Sequence, residues 1–260
     1  MQKFLLLVED NPINQKLAQK TLALLGYKVN TAADGEQALT IYKNTPENIA
    51  LIFMDGEMPV LNGFAATKAI RQWEQENGVP STPIIAWTAA YGLLESQEKW
   101  LSAGVDGFLS KPFDFKQIQN ILHQWLGNPP MHVAERDNVA PTISFTQTAC
   151  KLDVQALQQL FELEKNSPGL IKRLIVKYEQ QGMLLLQQLE ANLQQENSEG
   201  IRQAAHSLKS TSASFGATEL AINCKKIEQK PELFDDIAMQ LASLQSLFAQ
   251  ALLALQRLEL

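Results

Sequence analysis

The sequence predicts an α/β unit on a parallel sheet followed by an all-α bundle, and three observations carry that expectation. Short apolar runs alternate with helix-period segments through residue 126, the pattern of βαβ units. Residues 127–148 then lose all periodicity and mix Pro, Asn and charge (G-N-P-P-M-H-V-A-E-R-D-N-V-A-P-T), which reads as a linker. From Leu152 onward the chain is nearly all helix-period and rich in Leu and Gln. The expected domains are 1–126, a linker over 127–150, and 151–260.

Each element has its own signal. Strands are expected at Phe4–Val8, Lys28–Ala32, Ala50–Met54, Ile84–Trp87 and Gly107–Leu109. Asn11-Pro12 is a helix start, with Asn able to cap and Pro suited to the first turn. That helix is expected to run to Leu25 and stop at Gly26. Further helices are expected over Gln37–Lys43, Gly63–Trp73, Ser96–Ser102 and Phe115–Leu126. In the second half, Ser167-Pro168 is read as the start of a long helix with an apolar stripe of Ile171, Leu174, Tyr178, Leu185 and Leu189. Ile201, Ala205, Leu208, Ser212 and Phe215 form one face of the next helix. The last is expected to bury Ile237, Leu241, Leu244, Phe248, Leu252 and Leu255. Three or four such helices cover one another's stripes only as a bundle.

Bulk properties narrow the function. The net charge is −6, and a division near residue 128 leaves 10 basic against 13 acidic residues in the first half and 12 against 15 in the second. Neither half is basic, so no nucleic acid is expected as a partner. The two cysteines, Cys150 and Cys224, are far apart and lack metal-site spacing, which reads as two reduced thiols. The apolar run at the start stops at Glu9-Asp10, too short for a signal peptide or a membrane span. A cytoplasmic location is expected, without direct membrane contact, even for a piece of a longer membrane-bound parent.

Four apolar runs of the first half end in polar residues of one chemistry: Glu9 and Asp10, then Asp55, Thr88 and Lys111. In an open parallel sheet such run-ends gather on one edge, where ligands bind. A phosphoryl group arriving at Asp55 meets a carboxylate already negative, so a hard cation is needed. Mg²⁺ prefers oxygen ligands and binds through one or two carboxylates, substrate oxygens and waters. Asp10 and Asp55 are suited as direct ligands, Glu9 to hold a water of the shell, and the Glu57 carbonyl to complete it. Lys111 offers a point charge and Thr88 a hydroxyl donor to the phosphoryl oxygens. Taken singly, each residue has a plainer reading; Glu9-Asp10 before Asn11-Pro12 can merely favour a helix N-terminus.

With V-E-D-N-P-I-N-Q, M-D-G-E-M-P-V-L-N-G, W-T-A-A and F-L-S-K-P-F in this order, residues 3–126 resemble the receiver domains of bacterial two-component response regulators. The resemblance implies a flavodoxin-like doubly wound (βα)5 fold with strand order 2-1-3-4-5, Mg²⁺ dependence and phosphorylation on Asp55. It also implies a switch made of Thr88 and Phe108, although Phe108 is equally readable as a core aromatic. Two departures stand out: Gly56, which loosens the acceptor loop, and Trp87, bulkier than the usual aliphatic.

The second candidate is His206, in A-A-H-S-L-K-S-T-S-A-S-F-G-A. On a helix it lies 100° round from Ala205, at the edge of the apolar stripe. Lys209 at i+3 shares its surface and is suited to attract a phosphoryl group. The small residues Ala205, Ser207, Ser210 and Ala213 leave room for a partner to approach. A neutral imidazole can attack phosphorus. No second His or Cys stands at metal spacing, and His123 and His132 read as helix-end and linker residues. Residues 152–258 resemble a histidine phosphotransfer (HPt) domain, a four-helix bundle, with Ser210 where that family favours glycine.

Together the halves imply the two middle stations of a His–Asp–His–Asp phosphorelay. The partners would be an upstream sensor histidine kinase and a downstream receiver, as for the C-terminal part of a hybrid sensor kinase or a free-standing homologue. No Gly-rich ATP-binding segment is present, so autophosphorylation from ATP is not expected. A linker of about 20 residues has an r.m.s. reach of about 25 Å when flexible, which gives an effective concentration on the order of millimolar. Two other readings use the same chain: a phosphorylation-switched adaptor with His206 incidental, and a phosphate sink draining label back to Asp55.

Overall fold

A computed structural model describes residues 3–89, 93–111, 115–127 and 152–258, with the backbone alone at 88–89 and 93–96. The chain divides into two compact units, Met1–Asp137 and Asn138–Leu260. From residue 128, the expected linker lies outside the described residues, as do His132 and Cys150.

In the first unit, β1 (Phe4–Val8), β2 (Val29–Ala32), β3 (Ile49–Asp55), β4 (Ile84–Ala89) and β5 (Gly107–Lys111) form one parallel sheet. Their order is β2-β1-β3-β4-β5, with the switch point between β1 and β3. The helices are α1 (Pro12–Leu24), α2 (Gly35–Asn44), α3 (Gly63–Asn77), α4 (Leu93–Ala103) and α5 (Phe115–Leu126). The sheet is doubly wound, as expected. Strands alternate between two cores because successive side chains point to opposite faces. Leu6, Val8, Ile52, Met54, Ile84 and Ala86 meet α2, α3 and α4 through Tyr42, Ile70 and Trp100. Leu5, Leu7, Phe53, Ile85 and Trp87 meet α1 and α5 through Leu22, Ile118 and Leu122.

Several helices outrun their expected ends, each for a capping reason. Asp34 accepts from the Gln37 amide at 2.8 Å, so α2 starts at Gly35. α3 continues to Asn77 and stops where Gly78 turns left-handed, φ 63°. Asn11 caps α1 as expected, accepting from the Ile13 amide at 3.0 Å. Beneath the sheet, Glu74 is 2% exposed yet fully provided for. Its carboxylate accepts from the Tyr42 hydroxyl at 2.5 Å, the Thr82 amide at 2.8 Å and Arg71 at 2.8 Å.

Among its described residues the second unit holds five helices: α6 (Val154–Asn166), α7 (Leu170–Gln194), α8 (Ser198–Ser214), α9 (Thr218–Gln229) and α10 (Phe234–Gln256). α7 packs on α8 and α10, and α9 also packs on both, so these four close a bundle. α6, which packs on α7, is additional to the four expected. Tyr178 anchors the core, stacked on Phe215 (centroids 4.7 Å) and edge-on to Phe248 (5.2 Å). A side chain at Gly182 would run into the Phe248 ring, its Cβ only 2.2 Å from Cε2, so the close approach requires glycine.

Two expectations need correction here. α7 does not start at Ser167-Pro168: Ser167 ends α6, Gly169 (φ 74°) turns the chain, and the Glu164 carboxylate accepts from the Ile171 amide at 2.8 Å. On α10, Leu241 and Leu252 are only half-buried, whereas Ala251 is buried with Ile237, Leu244, Phe248 and Leu255. The spacing 237, 244, 248, 251, 255 is a narrow coiled-coil-type seam, and 241 and 252 flank it. By length and composition α10 could also cross a membrane; within this unit it is a bundle helix.

Candidate functional sites

The sheet brings residues 9, 55 and 111 together at the carboxyl ends of its central strands. Asp55 is the last residue of β3, and Glu9 follows β1 directly. Both are almost fully buried, at 4% and 2% exposure. Lys111, at the end of β5, donates to Glu9 Oε2 at 2.6 Å and to Asp55 Oδ2 at 2.7 Å. The other Asp55 oxygen accepts from the Gly56 amide at 2.7 Å. Asn14 on α1, which the sequence reading left out, donates to Glu9 Oε1 at 3.2 Å.

Glu9, Asp10 and Asp55 each present a carboxylate oxygen within 4.8 Å of the others. Around Mg²⁺, with oxygens at about 2.1 Å, ligand oxygens lie roughly 3–4 Å apart. The cluster therefore fits the ion after a small closure. Charge fits as well: three carboxylates against one ammonium leave two negative charges, which a divalent cation cancels. Strain in the cluster shows at Glu9. Burial pushes its carboxyl up to about 7, with Asp55 and Asp10 adding to the rise and Lys111 opposing it. Burial acts to lower the Lys111 ammonium, but Asp55 and Glu9 outweigh it and hold the group above its ordinary value.

The remaining expected site residues fall around this cluster. Glu57 lies in the turn after β3 with an exposed side chain. Thr88 is in β4, one residue beyond the Asp55–Trp87 pairing and across from Ser110; its side chain lies outside the described residues. Phe108 is half-buried against the core of Ala86 and Trp100. Trp87 points to the opposite core, edge-on to Phe53 at 5.1 Å, so its bulk is taken up on the α1–α5 side. Asn62 caps α3, accepting from the Ala65 amide at 3.0 Å. Exposed Val60 has φ 65°, a conformation a β-branched residue rarely takes, so the loop after Asp55 stores backbone strain.

Within the second unit, α8 carries His206 and Lys209. Neither stands free in solvent: their side chains are 15% and 14% exposed. Both meet Glu228 of α9, which the sequence reading missed. Glu228 Oε1 lies 2.6 Å from His206 Nδ1, and Oε2 accepts from Lys209 Nζ at 2.5 Å. Lys209 Nζ is also 3.5 Å from Nδ1, but a nitrogen that donates to a carboxylate cannot accept from an ammonium, and the shorter contact decides. A proton therefore sits on Nδ1, and in the neutral ring the lone pair is the one on Nε2. Burial acts to raise the Glu228 carboxyl, yet the hydrogen bond from His206 and attraction to His206 and Lys209 bring it down to about 2. Lys209, expected to await a phosphoryl group, is held by this carboxylate. Ala205 is buried and faces the core, so among the expected small neighbours only Ser207, Ser210 and Ala213 reach the surface.

Cys224, one turn before Glu228, is a buried free thiol pushed up to about 12 by burial, with Glu228 adding to the rise. It is a packing residue. His123 is an exposed side chain in the last turn of α5, as expected.

Comparison with known proteins finds the two domains that carry these residues. Residues 5–123 match the response regulator receiver domain and residues 173–259 match the Hpt domain. The chain is 34% identical over 154 residues to Sensor histidine kinase GacS of Pseudomonas protegens, covering 59% of this chain and 16% of the relative. It is 27% identical over 228 residues to Aerobic respiration control sensor protein ArcB of Escherichia coli, covering 88% of this chain and 28% of the relative. The chain thus spans well under a third of these relatives' length. Among solved structures, the receiver domain of a sensor histidine kinase from Pseudomonas aeruginosa, with magnesium in its active site cleft, is 41% identical. That match covers 49% of this chain and 99% of the other, at TM-score 0.43. The chain joins one domain of the response regulator receiver family to one of the Hpt family, and its role lies in His–Asp phosphorelay signalling.

Proposed function

We propose that residues 1–126 and 151–260 are the second and third stations of a His–Asp–His–Asp relay in the cytoplasm. The donor is a phosphohistidine of an upstream sensor kinase, and the final acceptor is the Asp of a downstream receiver. In the first step an Asp55 oxygen attacks phosphorus. The P–N bond breaks, its electron pair returns to the donor imidazole, and an acyl phosphate remains on Asp55. Asp10, Asp55 and the Glu57 carbonyl would hold Mg²⁺, with Glu9 to hold a water, and the bound ion would supply charge neutralisation. Lys111 moves its ammonium from Glu9 toward the phosphoryl oxygens, the Thr88 hydroxyl donates to another, and Phe108 turns into the space Thr88 leaves.

In the second step the His206 Nε2 lone pair attacks phosphorus, the P–O bond breaks, and its electrons return to the Asp55 carboxylate. The imidazole becomes cationic as the bond forms. Glu228, already accepting from Nδ1–H, stabilises that charge, and Lys209 turns from Glu228 to the arriving oxygens. The single observation that carries the relay over an adaptor role is the 2.6 Å contact between Glu228 and Nδ1. An incidental surface histidine needs no buried carboxylate to set its tautomer.

Incubation with a labelled cognate kinase tests the order. The Asp55→Ala chain is expected to take up no label. The His206→Ala chain is expected to carry base-labile label on Asp55 and pass none to the downstream receiver. Equal onward delivery by His206→Ala would refute the order and favour the adaptor.

A further inference from the structure

Trp100 on α4 is fully buried, at 0% exposure, and its benzo edge faces the loop that follows Asp55. A Cβ at Gly56 would lie 3.2 Å from its Cζ2, and one at Gly63 would lie 2.9 Å from its Cη2. Phe64 closes the third side, its ring centroid 4.2 Å from the indole. The indole therefore crowds any side chain at 56, where a methyl group would fit only if the ring gave way by a few tenths of an ångström. The sequence alone suggests that Gly56 loosens the loop. In the fold glycine also lets a large ring from α4 press against the backbone. That backbone is the part that matters, because the Gly56 amide donates to Asp55 Oδ1 at 2.7 Å and the Gly56 carbonyl accepts from Gly63 at 3.0 Å. The fit of the ring comes at a cost: its Nε1–H is buried and finds no acceptor among the described residues.

We infer that Trp100 is a positioning residue for phosphoryl acceptance, holding the Gly56 amide on the Asp55 carboxylate and tying the acceptor loop to α4. The inference rests on the reading of Asp55 as acceptor. Two consequences follow from geometry. Any movement of the loop when Asp55 is loaded displaces the indole, because no free space separates them. The indole also lies in the same core as Phe108, so α4 receives the state of Asp55 through packing as well as through the Thr88–Phe108 switch.

The test uses the full chain with Mg²⁺ and beryllofluoride as the phosphoaspartate mimic, reading fluorine NMR for occupancy and tryptophan emission for the indole. Wild type is expected to show a bound fluorine resonance and an emission change. Trp100→Phe is expected to bind with affinity lower by on the order of tenfold, without the emission change, although Trp73, Trp87 and Trp125 remain. Gly56→Ala is expected to weaken binding as well. The double variant recovers much of that loss, because the smaller ring makes room for the new methyl, and circular dichroism reports whether each variant is folded. Losses that simply add in the double variant, or an emission change that survives in folded Trp100→Phe, would overturn the inference. A wild-type chain with no bound fluorine resonance would overturn the acceptor reading itself, and the inference with it.

Discussion

The two sites solve the same chemical problem with opposite architectures. Around Asp55, groups from positions 9, 55 and 111 meet only because three parallel strands end together. With half-buried Asp10 beside them, three carboxylates face one ammonium, a surplus of two negative charges. Around His206, three groups come from two adjacent helices, with Lys209 and the imidazole both held by the one carboxylate of Glu228. An acyl phosphate on a carboxylate needs an outside cation; a phosphohistidine, whose nucleophile is neutral, needs only a partner for the positive charge it acquires. Metal dependence should therefore divide the chain in two.

Removing divalent cation gives the largest expected effect: with chelator present, label on Asp55 from the kinase falls to background. Label already on His206 persists on the same time scale, which an acid and base stability assay of quenched samples reads directly. Next comes Lys111→Met, expected to abolish acceptance at Asp55 while tightening Mg²⁺ binding in titration calorimetry, because a competing cation has been removed from between Glu9 and Asp55. If Mg²⁺ bound more weakly in that variant, the charge account of the cluster would be wrong.

Glu228→Ala sharpens the other side. Transfer from phospho-Asp55 to His206 is expected to slow by about a hundredfold, the usual scale for loss of a group that orients and charge-stabilises a reacting histidine. Acceptance at Asp55 should be unchanged. The same carboxylate sets an acid limit. Its pKa lies near 2 in the folded unit against an ordinary 4.5. A depressed carboxylate contributes stability that is complete above pH 4.5 and is lost as pH falls toward 2. The contribution is at most about 3 kcal/mol. Glu228→Gln should show a flatter acid-unfolding curve over that window by circular dichroism. The smallest effect is expected at Tyr42→Phe, which removes a hydrogen bond to the satisfied Glu74 and costs the first unit about 1–2 kcal/mol. Mg²⁺ affinity should not move, since that buried carboxylate already has its partners.

What could be read in the sequence follows from the same contrast. Asp10, Asp55 and Lys111 were legible because apolar runs announce strands, and a strand's last residue marks the sheet edge whatever lies between. The strand order was legible only through the receiver resemblance, whereas α5 announced itself by its apolar stripe. Glu228 was not: it is an ordinary charge 22 residues from His206, on a helix with no motif of its own. The one available signal was its place just after the buried seam of Leu220, Cys224 and Ile227, where a charge needs a partner. The close approach of Trp100 to Gly56 was not legible, because the two lie 44 positions apart and side-chain volume across a core leaves no local trace. The start of α7 misled because Ser167-Pro168 imitates a cap, whereas the capping carboxylate comes from Glu164.

A rapid-quench time course with labelled kinase, sorting label by base stability, tests the two-station order most directly. Base-labile label on Asp55 should rise first, and base-stable label on His206 should grow as it declines. Base-stable label that appears first, or that forms at full rate in Asp55→Asn, would contradict the account.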